Sequence, residues 1–384
     1  MRLRLSTARV LPLAVAAGLS PLLLAPAALA QSAPWTVVAS PNASPGNNQL
    51  NAVASISASN VWAVGSAENS LGNDQLLAGH WDGTAWSIVP TPAVVTGTLS
   101  GVAAISSTDV WAGGGFLLSR RGNTAQFMHW NGRKWTIAKS PATTGGIAGM
   151  AAVSSTDVWA VGSIISGSVA QTFIEHWNGK NWAIVPSPDN GTGNNHLSGV
   201  TAISASDVWA VGDFQTTSSS GTVFQTLTEH WDGTAWSIVP SPSPGGTSSG
   251  SELRGVAAVS ASDVWAVGDS GSGTLTERWN GTSWAVVPSP GPSGAVFNSL
   301  AGAAVVSSND VWAVGESDNS SGIPATLIEH WDGTTWNIVA SPAPGTASLL
   351  SGASADPASG QAWAVGQFNP MQFGATQTLT EFNP

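Results

Sequence analysis

The chain has 384 residues with no cysteine and no tyrosine, so disulfides, thiolate metal centres, cysteine nucleophiles and tyrosyl-radical chemistry are closed to it. Acidic residues outnumber basic ones 22 to 11, which makes nucleic acid and anionic membrane surfaces poor partners. With 44 Gly, 23 Pro and only 9% charged residues, the composition fits short strands and many turns, not long helices or charged disordered tails.

The first thirty residues form a separate segment. Arg2, Arg4 and Arg9 give a basic start, residues 10–24 are apolar but broken by Pro12 and Pro21, and Ala28-Leu29-Ala30 is a small-x-small cleavage site. This pattern predicts a secretory signal peptide over residues 1–30, cut after Ala30. The apolar run is short for a membrane span, no cysteine offers a lipid anchor, and no later stretch is apolar enough to cross a bilayer. The expected product is secreted, extracellular or periplasmic, with no membrane insertion. It keeps eight basic residues against all 22 acidic ones, a formal charge of −14.

Everything that follows is a repeat. One unit, residues 197–242, reads as an apolar run, a Ser/Asp turn, the hexapeptide DVWAVG (207–212), a variable polar loop, a β-rich run ending in Trp231, an Asp232-Gly233 turn, and a run from Trp236 into a Pro-rich exit. The DVWAVG tryptophan recurs at Trp62, Trp111, Trp159, Trp209, Trp265, Trp312 and Trp363, at intervals of 47 to 56 residues. The tryptophan before the turn recurs at Trp81, Trp130, Trp177, Trp231, Trp279 and Trp331, and the one after it at Trp86, Trp135, Trp182, Trp236, Trp284 and Trp336. With Trp35 these are all 20 tryptophans. Four short β-runs per unit of about 50 residues predict one propeller blade per repeat.

The expected fold is therefore all-β, a seven-bladed β-propeller of four-stranded blades filling residues 31–384. The blades fall near 50–90, 99–139, 147–186, 197–240, 253–288, 300–340 and 349–382. Residues 35–39 match a blade's last strand but have no partner strands, whereas the seventh repeat stops without one. The N-terminal strand should complete the last blade and close the ring, removing free sheet edges.

The turns carry their own signals. Asp-Gly or Asn-Gly between tryptophans predicts a two-residue type I′ hairpin turn, with the flanking tryptophans on one face and against the adjacent blade. The Ser-x-Ser-Asp turn should give Asp207 and its equivalents Asp109, Asp157, Asp263 and Asp310 a short-range backbone partner. His80, His129, His176, His230 and His330 share one repeat position, with Arg278 in the fifth unit and Glu381 near that site in the seventh. Separated by whole blades, they cannot share a metal, so they are expected to be structural partners on the third strand. His196 falls outside the pattern and is expected in a loop.

A β-run ending in glycine (207–212), a variable loop, then Trp231, Asp232 and Trp236 resembles the kelch-type repeat over about residues 35–384. The kelch double glycine appears only at Gly113-Gly114, and Trp stands where kelch repeats carry tyrosine before the turn. The turns also resemble, more loosely, the Asp-boxes of sialidase-like propellers. The kelch resemblance implies a binding scaffold without naming its ligand.

The turns of one face of the disc are nearly constant, while loops 66–75, 115–126, 213–225 and 367–376 and connections 186–196 and 240–252 vary. Specificity carried by loops on a rigid scaffold makes the variable face the candidate binding face. Its non-repeating aromatics Phe116, Phe214, Phe224, Phe297, Phe368 and Phe373, with the basic pair Arg120-Arg121, form the candidate ligand-binding set. Glu175, Glu229, Glu277, Glu329 and Glu381 repeat. Glu68, Asp74, Asp189, Asp213, Glu252, Asp269, Glu316, Asp318 and Asp356 do not, and are expected to be spread over loops. No catalytic residue, metal site or cofactor can be assigned. The reading is a secreted, monomeric, non-catalytic binding module for a glycan or an extracellular or cell-envelope protein. The alternative, an extracellular hydrolase or lyase, requires Glu252, Asp213 and Asp318 to converge at one channel mouth.

Overall fold

The computed structural model describes residues 34–119, 124–141, 145–218, 221–271 and 273–384. The segment expected to be a signal peptide, residues 1–30, and the pair Arg120-Arg121 lie outside the described residues. Seven four-stranded antiparallel sheets make a seven-bladed propeller. In blade 1 the strands are Asn48–Ser57, Asn60–Glu68, Asp74–Trp81 and Trp86–Ile88, running from the inner edge outward, and the next five blades repeat this order. A single helical turn, Gly246–Ser249, leads into blade 5.

The seventh blade takes Ala347–Asp356, Gln361–Asn369 and Gln377–Asn383 from the C-terminus and its outer strand, Thr36–Val37, from the N-terminus. Thr36 pairs with Phe382 and Val37 with Glu381. The seam continues beyond the strand: Val38 N donates to Thr380 O at 2.9 Å, and the side-chain carbonyls of Asn42 and Asn47 accept from the amides of Thr378 (2.9 Å) and Thr376 (3.0 Å). The ring closes as its repeat defects required.

The DVWAVG strand reads as a nearly continuous buried run because it lies second in each blade, covered on both faces. Its terminal glycine has a steric cause. Each inner strand bulges one residue past it, as between Leu197 and Gly199. A Cβ on Gly212 would run into the carbonyl oxygen of His196, and the same collision recurs at Gly65, Gly268 and Gly315. A second glycine ring follows from the approach of neighbouring inner strands. A Cβ on Gly255 would stand 2.9 Å from Ala301 O, and one on Gly302 2.8 Å from Ala353 N. A cavity of about 160 Å³ at the axis touches all seven blades, so the channel is narrow at its waist.

The core is divided among the blade interfaces. Each of seven buried clusters joins two adjacent blades. At each interface the DVWAVG tryptophan of one blade receives the edge of the post-turn tryptophan of the next. Trp159 meets Trp236 at 5.4 Å and 82°, and Trp363 meets Trp86 at 5.3 Å and 89°, across the closure. The pre-turn tryptophan packs there too, as Trp231 does on Trp159 at 5.0 Å. On its other side the receiving ring stacks with the histidine of its own blade, as Trp159 does with His176 at 4.1 Å. Edge-to-face packing places the positive ring edge on the negative face and adds about 0.5–1.5 kcal/mol per pair beyond buried area.

The histidines are structural, as expected, but their partner differs from the expectation for the aspartates. His129, His176, His230 and His330 bond through Nε2 to Asp109, Asp157, Asp207 and Asp310 at 2.8–2.9 Å, and Arg278 makes a two-pronged bond to Asp263. The aspartate thus reaches across to the third strand, while a serine hydroxyl caps the turn itself, Ser206 N donating to Ser204 Oγ. In blade 7 the histidine position is held by Phe382, which pairs with Trp363; Glu381 instead occupies the repeated glutamate position.

Those glutamates, Glu175, Glu229, Glu277, Glu329 and Glu381, are fully buried on the third strands. Serines at the exit of the preceding blade face them: Ser140 Oγ donates to Glu175 at 2.8 Å and Ser341 Oγ to Glu381 at 2.9 Å. Burial pushes the carboxyls of Glu229, Glu277, Glu329 and Glu381 up to about 8.

Two measurements test this architecture. Trp35 is 3% exposed and supplies the edge on Trp312 at the last interface. Trp35→Ala is expected to cost roughly 3 kcal/mol, read as a lowered urea midpoint; an unchanged midpoint would contradict closure by this strand. The buried glutamates hold protons in the folded chain that the unfolded chain releases near the ordinary 4.5. Stability should therefore fall as pH rises from about 4.5 to about 8 and then level off. Changing Glu229, Glu277, Glu329 and Glu381 together to Gln should flatten that slope in melts recorded across the range.

Candidate functional site

The two faces of the disc differ in what their side chains have left to offer. On the constant face, the loop between paired tryptophans is four residues long, Asp82–Ala85 in blade 1, and not the expected two-residue turn. Trp81 pairs directly with Trp86, and Gly83 alone in that loop has positive φ, whereas a type I′ turn needs two such residues. Asp82 holds the loop together by accepting from Thr84 N (2.8 Å), Ala85 N (2.9 Å) and the Thr84 hydroxyl (2.6 Å). Asp232 and Asp332 repeat the arrangement. These bonds, the threonine hydroxyl first, hold the Asp82 and Asp232 carboxyls down to about 2. The carboxylates of this face are spent on their own turns or on the histidine or arginine of their own blade.

The variable face is different, and its asymmetry is confined to three blades. At the channel mouth each blade presents the inner-strand residue before the bulge leucine and, across from it, the residue after the DVWAVG glycine. The pairs are Gln49/Ser66, Thr98/Gly115, Gly146/Ser163, His196/Asp213, Glu252/Asp269, Ser299/Glu316 and Leu349/Gln367. At these paired positions ionisable side chains stand only in blades 4, 5 and 6. The bulge residue adds Arg254 in blade 5, where the other blades carry Asn51, Ser100, Ala148, Ser198, Ala301 and Ser351.

These groups form one network. His196 Nδ1 meets Asp213 at 3.0 Å. Arg254 donates from Nε to Asp269 at 2.9 Å and from Nη2 to Glu252 at 2.8 Å. Ser299 of blade 6 donates to the same Asp269 oxygen at 2.9 Å. The bond to Asp213 raises the His196 pKa against the opposing effect of burial, and Glu252 adds to the rise. Burial raises the Glu252 carboxyl, with Asp213 and Asp269 adding and Arg254 opposing. Glu316 is raised by burial first and then by Asp318, while Arg254 opposes. Five carboxyl groups thus share one guanidinium and one imidazole. The carboxyl groups of Glu316 and Asp318 form no hydrogen bond or ion pair among the described residues, and Asp318 Oδ1 is buried without a partner.

Beside this network lies a cavity of about 220 Å³, walled by Arg254, Phe297, Ser299, Glu316, Leu349 and Ser351 among others. It opens where the inner strands of blades 5, 6 and 7 approach. Among the described residues no three of His, Asp and Glu stand where they could share a metal ion.

The aromatic set expected from sequence is not gathered here. Phe116 is 4% exposed and belongs to the core between blades 1 and 2. Phe214 and Phe368 pack partly buried against the cores of their interfaces. Phe214 and Phe224 lie on strands and not in a loop, because Asp207–Ser218 and Gly221–Trp231 extend into a long hairpin. Phe224 stands 6.0 Å from His196, ring to ring. Phe373 is 97% exposed at φ +62° in the blade-7 loop, and Phe297 lines the cavity. Arg120 and Arg121 lie outside the described residues.

Two further expectations are corrected. His196 is on an inner strand, Asn195–Ser204, and Asp213, Glu252, Asp269, Glu316 and Asp318 lie on strands and not in scattered loops. The variable segments carry no repeated strand pattern, so sequence periodicity places these residues in loops. The signal was available: aligning the residue after each DVWAVG glycine gives Ser, Gly, Ser, Asp, Asp, Glu, Gln, with the acids in consecutive blades.

Comparison with known proteins agrees with the fold and stops there. No protein-family model matches the sequence, and no curated protein matches it. Solved structures do match in shape. YCF48 bound to a D1 peptide aligns with TM-score 0.54 at 16% identity over 92% of this chain and 97% of that one. The WD40 repeats of RRP9 align with TM-score 0.58 at 9% identity over 92% and 99%. A family GH74 xyloglucanase from Xanthomonas campestris aligns with TM-score 0.55 at 15% identity over 90% of this chain and 55% of its own. The chain is a seven-bladed β-propeller, and at these identities the likeness is one of fold.

The network's internal pairing can be tested by titration. His196 should titrate above the ordinary 6.5, and Asp213→Asn should bring it down, both read from its imidazole signals by NMR. An Asp213→Asn variant with an unshifted His196 would mean that the pair does not form.

Proposed function

We propose that this protein is a secreted, non-catalytic binding propeller that engages an extracellular glycan or envelope protein at the channel mouth of its variable face. The observation that carries the proposal is the restriction of ionisable mouth side chains to blades 4–6, on a scaffold that otherwise repeats. Fold maintenance does not need these groups, since four other blades use Gln, Thr, Gly, Ser or Leu at the same positions. The kelch-like character of the repeats is in keeping with a binding scaffold. One structure of similar fold, YCF48, is held with a peptide, as its description states.

A hydrolase is the second reading, because Asp213, Glu252, Asp269, Glu316 and Asp318 do come together. Two carboxyls of raised pKa, Glu252 and Glu316, beside other acidic groups are the material from which acid–base pairs are built, and a xyloglucanase shares the fold. The binding reading is preferred because Glu252 and Asp269 are engaged by Arg254 and Asp213 by His196.

The test pairs a glycan array with capture from envelope extracts, using the purified protein at physiological salt. Glu252→Gln should weaken the captured ligand about tenfold, and the constant-face variant Asp82→Asn should bind normally. Equal binding by both variants would overturn the assignment of the face. Turnover of an oligosaccharide, lost in Glu252→Gln or Glu316→Gln, would establish the second reading instead.

A further inference from the structure

The cavity beside Arg254 has a chemistry more specific than the acidic mouth as a whole. Arg254, which lines the cavity, spends Nε on Asp269 and Nη2 on Glu252, which leaves Nη1 without a partner among the described residues. Glu316, a second wall residue, makes no side-chain hydrogen bond among the described residues. Phe297 provides an aromatic wall, Leu349 an aliphatic one, and Ser351 a hydroxyl. Unused donors, unused acceptors and an aromatic surface thus face one small space.

An anion is a poor occupant. Glu316 lines the cavity, and Asp269 and Glu252 already take up the Arg254 charge from behind. A compact cation is opposed by the Arg254 guanidinium in the wall itself. A group that is neutral, and that both donates and accepts through neighbouring atoms, satisfies both sides. A pair of adjacent hydroxyls does so: each can accept from the guanidinium Nη1 and donate to the Glu316 carboxylate, charge-assisted bonds in both directions. The C–H face of the ring carrying those hydroxyls is apolar and fits against Phe297.

Resting on the reading of the mouth as a binding site, we propose that this cavity is a subsite for one neutral sugar ring, held by a vicinal diol between Arg254 and Glu316 with Phe297 against its face. The site takes a single residue of a longer neutral glycan, because the space is small and opens to the channel mouth. A uronic acid meets Glu316 with like charge, and an amino sugar places its ammonium against Arg254.

The experiment is a titration of the purified protein with neutral, acidic and amino oligosaccharides and with hexalysine, followed by saturation-transfer NMR and calorimetry at 0.05 and 0.5 M NaCl. A neutral oligosaccharide should bind, with affinity nearly independent of salt because no net charge is neutralised. Phe297→Ala and Glu316→Gln should each weaken it about tenfold or more while leaving the melting temperature within a few degrees. Tighter, salt-sensitive binding of hexalysine would overturn the subsite, as would a neutral sugar whose affinity neither variant changes. If no saccharide binds while an envelope protein is captured and then lost with Glu252→Gln, the subsite falls and the binding function stands. If that protein is also unaffected by Glu252→Gln, the mouth itself is misassigned.

Discussion

Each blade rests on the one before it through a tryptophan edge seated on a tryptophan face, and the ring depends on that step being repeated until it closes. The receiving indole is clamped from both sides, by the tryptophans of the next blade and by the histidine, arginine or, in blade 7, phenylalanine of its own. The Asp–His and Asp–Arg bonds fix that third layer. A chain without cysteine has no covalent staple for such a ring. It relies on aromatic area, which buries without charge and suits a composition with only 9% charged residues. The step is thinnest between blades 6 and 7. There Asn383 occupies the pre-turn tryptophan position and only Trp35, delivered by the N-terminal strand, reaches Trp312.

The packing step also explains the glycines. Seating indoles between blades pulls neighbouring inner strands together near the axis, and the approach leaves no space for a Cβ at Gly255 or Gly302. The bulge that each inner strand makes to keep its apolar face on the core presses a carbonyl onto the last DVWAVG glycine. Two sets of glycines that look like flexible punctuation are in fact contact points. The same constraint leaves a narrow waist, so recognition belongs to the mouths of the channel and not to its length.

Against this repeated background the channel mouth in blades 4–6 stands apart. A symmetric scaffold offers seven equivalent positions, and here three consecutive ones are charged while four are not. Arg254 ties blade 5 internally, and Ser299 carries the connection into blade 6, so the groups behave as one network and not as neighbours by chance. The buried glutamates form a second polar system, but a different one. They repeat through five blades, face serines across the seams, and are replaced by Gly79 and Met128 in blades 1 and 2, which marks them as parts of the wall.

Blade number, strand order, ring closure and the structural place of the histidines were legible in the sequence. All are dictated by local pattern: a strand's period, a glycine that only one geometry tolerates, a tryptophan spacing that repeats seven times. The four-residue turn was missed because the Asp-Gly pair looks the same whether glycine alone or both residues take positive φ; the Asp82 side chain, bonded to Thr84 and Ala85, decides it. The candidate site was missed for a deeper reason. His196 and Asp213 share one hairpin, but Glu252 and Glu316 lie dozens of residues further on, and aligning the repeats shows that the acids fall in consecutive blades without showing that they meet. Only the circular stacking of blades brings the ends of three different inner hairpins to one rim. Sequence by itself determined the scaffold, because six blades are built from contiguous residues and the seventh from complementary pieces at the two termini; the tertiary structure alone decided the site, because its three hairpins become neighbours only when blades 4, 5 and 6 stack.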